Sequence, residues 1–76
     1  MQQPSLGRIV LVPIEPSQNN NSPVAPAIIT RVWPENKVNV RVLADGMNLL
    51  WLTSLTYVES LDDDSPRGSW TWPPRV

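Results

Sequence analysis

Nine prolines, at positions 4, 13, 16, 23, 26, 34, 66, 73 and 74, divide this 76-residue chain and leave little uninterrupted length for helix. Within a helix each proline costs about 3 kcal/mol, through a lost N–H and a clash with the preceding turn. The apolar stretches between the prolines are rich in β-branched residues. The one long proline-free gap, from Glu35 to Ser65, holds the clearest strand pattern. In Val38-Asn39-Val40-Arg41-Val42 the valines fall on one face and the polar groups on the other, a strict period of two.

The same reading predicts four more strands. Arg8–Ile14 (RIVLVPI) is β-rich, and Pro13 marks it as an edge or as kinked near its end. Ala27–Trp33 (AIITRVW) is turned by Pro34-Glu35-Asn36-Lys37 directly into Val38–Leu43, as a hairpin. Asp45-Gly46 is a turn, Leu49–Leu55 (LLWLTSL) the next strand, and Ser69–Trp72 a short last one stopped by two prolines. Five short strands in one domain spanning 1–76 predict an all-β fold. The expected form is a small SH3-like or related five- to six-stranded antiparallel barrel, whose closure removes exposed edges.

Two connections stand out. Residues 15–24, EPSQNNNSPV, have no apolar anchor and read as a mobile surface loop, or as a rim over a site. The acidic turn at 61–66, LDDDSP, lacks the glycine and distal glutamate of a calcium loop and reads as a solvated turn.

Composition excludes more chemistry than it suggests. With no Cys and no His, disulfides, the common zinc sites, Ser–His–Asp and Cys–His catalysis are all ruled out. No phosphate-cradling glycine motif is present, and the isolated acids look like turn residues, so the reading is non-enzymatic with no metal and no cofactor. Six basic and seven acidic residues are scattered without a basic stripe, which disfavours double-stranded nucleic acid as a partner. Neither a bilayer-length apolar run nor a signal-peptide pattern is present, so a cytoplasmic protein with no membrane partner is expected.

The four tryptophans carry what functional signal there is. Trp70 and Trp72 share one face of the last strand by alternation. Burying two indoles removes about 400 Å² from water, an upper bound of about 10 kcal/mol, comparable with the net stability of a domain. At least one is therefore structural; the pair is either all core, or split between core and an interface. Trp33 and Trp51 lie at or within strands, Arg31 shares a face with Trp33, and Arg41 lies opposite the valine face. A guanidinium beside an indole forms a flat cationic surface suited to a nucleobase or phosphate-bearing ligand, or simply covers an indole edge. The candidate binding or interface residues are Trp33, Arg41, Trp51, Trp70 and Trp72. A chain this short, without disulfide or metal, also points to a homo-oligomer that buries surplus apolar surface.

GRIV at 7–10, AIITRVW at 27–33, VNVRVLADG at 38–46, LWLTSLTY at 50–57 and GSWTWPPRV at 68–76 together resemble a family of small uncharacterised phage and prophage proteins. The terminal W-x-W-P is the most specific piece. The chain departs from the pattern with Thr71 where members often carry His, and Arg67 where they often carry Pro. The resemblance implies a bacterial virus as context. It points to a binding protein in the infected host cytoplasm that captures a host protein or small phosphorylated ligand, or else to an accessory component of the virion.

Overall fold

The computed structural model describes residues 2–62 and 65–74. Five strands form, β1 (Ile9–Pro13), β2 (Val24–Val32), β3 (Val38–Val42), β4 (Leu50–Tyr57) and β5 (Ser69–Trp70), in the sheet order β1-β2-β3-β4-β5. The all-β class is as expected, and the sheet curls into a nearly closed, SH3-like barrel. Among the described residues no helix is long and apolar enough to cross a membrane.

Period-two patterning explains the core. Val10 and Val12 of β1, Ala25, Ala27 and Ile29 of β2, the three valines of β3, Leu55 of β4 and Trp70 of β5 all point inward and are buried. Register carries these layers across the sheet, with Val10 opposite Ala27, Ala27 opposite Val42, and Ile29 opposite Val40.

One pairing differs from the antiparallel expectation. β5 runs parallel to β4, with Thr56 opposite Ser69 and Tyr57 opposite Trp70. It also meets β1 through an antiparallel bridge in which Leu11 and Thr71 exchange N–H···O bonds of 2.8 and 3.0 Å. The reason is parity. Strand directions around a closed ring of five cannot alternate everywhere, so one neighbouring pair must be parallel. The chain places that pair at β4–β5, where the connection after Tyr57 is long enough for the return. Gly68, at φ 87°, supplies the left-handed entry into β5, and its carbonyl accepts from Thr56 N at 2.8 Å.

β2 begins at Val24, three residues earlier than the sequence reading placed it, and so includes Pro26. A proline is tolerated there because its carbonyl accepts from Leu43 N, just beyond the end of β3. The donor it lacks would have pointed to that same side, where the ladder stops.

The loop before β2 is anchored, against expectation, and the anchor is polar. Pro16–Gln18 form a single 3-10 turn, and Asn19 behind it is only 2% exposed. Its side-chain oxygen accepts from Asp45 N, and its Nδ2 donates to the carbonyls of Ser22 and Val24 at 2.9 and 3.0 Å. Asn20 adds a bond from Nδ2 to the Asp45 carboxylate at 3.1 Å. The loop is thus tied to the β3–β4 connection. Asn19→Ala is expected to cost about 2 kcal/mol in urea unfolding, because buried donors and acceptors lose their partners. It should also speed amide exchange at Asn21 and Ser22, whose N–H groups bond within the loop. A loss below about 0.5 kcal/mol, the range of ordinary surface substitutions, would show that the anchor carries no load.

In the acidic turn Ser65 closes on Asp62, accepting from its N–H through Oγ at 2.7 Å. Asp63 and Asp64 of that expected turn lie outside the described residues.

Candidate binding face

Three of the five candidate residues, Trp33, Arg41 and Trp51, come together on the outer face of β2–β3–β4. Register aligns Arg41 with Trp51. Ile9 pairs with Ile28, Ile28 with Arg41, and Arg41 with Trp51, giving one row across four strands. All four side chains point away from the buried valines, and Trp51 is 55% exposed. The Arg41 guanidinium has no hydrogen-bond, ion-pair or ring partner among the described residues. Every other described cation is engaged. Arg67 meets Glu15 at 3.5 Å, Lys37 donates to Thr56 Oγ1, Arg31 lies over Trp33, and Arg8 over Trp72. Strands β1 to β4 contain no acidic residue, so this face is cationic in a chain of net charge −1.

One end of the face is built around Asn39, which the sequence showed only as an outward polar residue of β3. Two register shifts flank it. Thr30 is extra in β2 between Ile29 and Arg31, and β4 bulges at Thr53 and Ser54, the latter at φ 57°. A bulge leaves a backbone donor without a ladder partner. Here Asn39 Oδ1 takes it, accepting from Ser54 N at 2.8 Å, and also from Thr53 Oγ1 at 2.8 Å and Trp33 Nε1 at 2.9 Å. The third bond fixes the Trp33 indole against the sheet, and Arg31 stacks over it with Cζ 4.2 Å from the ring centre. Trp33 and Arg31 therefore hold each other on the sheet while remaining exposed, whereas Arg41 and Trp51 have no such partner among the described residues.

Trp70 and Trp72 lie elsewhere. Trp70 is 0% exposed, so it serves the core and presents nothing to a surface. Its Nε1 donates to Asn36 O at 3.0 Å, and Tyr57 and Trp72 pack edge-on against it at 5.0 and 5.2 Å. Trp72 is half-buried over this cluster. Its Nε1 donates to Gln2 O at 3.2 Å and the Arg8 guanidinium sits 5.2 Å from its ring. With the Gln2 amide oxygen turned toward Arg8, both guanidinium nitrogens donate to it, at 2.8 and 2.9 Å. Trp72 thus clamps the segment before β1, and a shallow cavity of about 510 Å³ lies beside it along Arg8, Ile9 and Pro73. The sequence left the pair either all core or split between core and an interface; in the structure Trp70 is core and Trp72 packs against it as a clamp within the same chain.

No known protein family, curated protein or solved structure matches the chain. Fold and site together define a small five-stranded barrel with an aromatic and cationic outer face.

If Arg41 and Trp51 serve contact rather than folding, removing them is cheap. Arg41→Ala is expected to change stability by about 0.5 kcal/mol or less, as for an exposed position without a partner among the described residues, and Trp51→Ala, which uncovers the buried part of an indole, by about 1–2 kcal/mol. Thermal melting of both variants checks this. A loss comparable to a core substitution would make the face structural.

Proposed function

We propose that this is a non-enzymatic binding protein of a bacterial virus, acting in the host cytoplasm by capturing a host protein on the outer face of β2–β3–β4. One observation carries the reading: Arg41, without a partner among the described residues, stands in register between Ile28 and the exposed Trp51. Tryptophan and arginine are the side chains most enriched where single residues dominate an interface. The convex outer face of a barrel suits a protein better than a small molecule, which is ordinarily bound in a concavity. The absence of acids from β1 to β4 favours a partner that sets a carboxylate beside an apolar side chain. The viral context rests on the sequence resemblance, with W-x-W-P as its most specific element.

The test compares tagged wild-type protein with Arg41→Glu and Trp51→Ala, recovered from infected cells and quantified by mass spectrometry. One host protein should be enriched with the wild type and lost with both variants, while Glu59→Gln retains it. Enrichment indifferent to both variants would overturn the assignment of the face. Stoichiometric recovery of the chain in purified virions would instead make it a particle component. Retention of a phosphorylated metabolite, lost in Arg41→Glu, would replace the protein partner with a small ligand.

A further inference from the structure

The barrel wall is open along one stretch of β4. β3 covers one side of this strand from Leu50 to Leu55, but β5 covers the other side only from Thr56 onward. In an antiparallel ladder, successive residues send their N–H and C=O alternately to the two sides. Part of the Leu50–Leu55 backbone therefore points away from β3, and among the described residues no backbone bond meets it there. Beyond the free edge lies an apolar slot of about 270 Å³, lined by Pro13, Ile14, Leu50 and Leu52, with the Glu15–Arg67 pair at its rim.

Natural edge strands are blunted by charge, by proline or by brevity. The stretch LLWLTSL at 49–55 has neither charge nor proline, and its Leu49 is 77% exposed. Within the stretch itself the guard is the bulge at Thr53 and Ser54, and the donor this frees is already taken by Asn39. Prolines occur in the other strands instead, Pro13 in β1 and Pro26 in β2.

We infer that the free edge of β4 pairs antiparallel with the same edge of a second copy, making a two-fold dimer. The occupant follows from charge and symmetry. An uncharged stretch meets its own copy without like-charge repulsion, and a two-fold pairing satisfies the free groups of both copies with a single contact. β5 is held in its own barrel by the buried Trp70. The pairing also covers the slot beside Leu50 and Leu52. It joins the two sheets edge to edge, so that the two rows ending at Trp51 lie end to end. It goes beyond the capture of a host protein and does not depend on it.

Analytical ultracentrifugation of the full chain across micromolar to submillimolar concentration tests this. A dimer of twice the 8.5 kDa chain is expected. Leu49→Lys, which sets two charges at the shared edge, should weaken it by about tenfold or more while leaving the far-ultraviolet circular dichroism unchanged. Amides of Leu50–Thr53 should exchange slowly in the dimer and fast in Leu49→Lys at the same concentration. A monomer at every concentration overturns the inference. So does a dimer that tolerates Leu49→Lys with the same β4 amides unprotected, since that dimer would use another surface.

Discussion

Trp70→Ala is expected to lose about 4 kcal/mol of stability, the middle of the range for deleting a large buried aromatic side chain. Small domains have only about 0.05–0.15 kcal/mol of net stability per residue, so this one substitution removes much of the total. The loss has three parts. The indole is the largest wholly buried side chain, so a cavity opens beneath β5; Tyr57 and Trp72 lose the ring they pack against; and Asn36 O loses its donor. Urea unfolding followed by circular dichroism should show a midpoint moved far toward zero denaturant. Trp72→Ala, by contrast, should cost about 1–2 kcal/mol, as a half-buried ring whose removal leaves the core filled. It should keep the fold and free the segment around Gln2 and Arg8. If both variants unfold alike, the division between core and clamp is wrong.

The second large effect falls on Asn39. Asn39→Leu is nearly isosteric but removes one oxygen that receives three donors, at a residue only 7% exposed. Trp33 and Thr53 can turn to water, but Ser54 N is fixed by the bulge. The expected loss is about 3 kcal/mol, the upper part of the range for leaving a buried group unpaired. Asn39→Asp keeps an oxygen facing the same three donors and should retain more of the stability. The order Asn, Asp, Leu is the signature to look for. A leucine variant as stable as the aspartate one would mean that packing, not hydrogen bonding, holds this end of the face.

Asn39 also shows where the sequence stops being legible. Its place between two valines marks β3 correctly, because period-two burial needs nothing beyond the neighbours in the chain. What the side chain does depends on register shifts in β2 and β4, and these arise only when strands of unequal curvature pair. Asn19 is similar. In a run of three asparagines nothing singles out the one that is buried, since its partner Asp45 comes from a turn far along the chain. Proline spacing was informative in excluding helix but not in bounding β2, since Pro26 is acceptable only where the neighbouring ladder ends. Of the candidate residues, alternation within β3 and β4 sent Arg41 and Trp51 outward, and register then made them neighbours. The different fates of Trp70 and Trp72 could not be read from alternation. It puts both on one face, whereas the core has room for one and the second stacks on its edge.

The strand that closes the ring also sets an order of events. β1 to β4 are a meander whose pairings join neighbours in the chain, so they need only short loops to close. β5 must find β4 and β1 at once, and its bridge from Thr71 to Leu11 ties together distant parts of the sequence. Non-local closure of this kind is the slow step in small β proteins. Refolding should therefore pass through a sheet already paired but still lacking its final strand. Because Trp70, Trp72 and Tyr57 meet only on closure, their near-ultraviolet circular dichroism becomes a clock for that last step, running behind the far-ultraviolet signal of the meander.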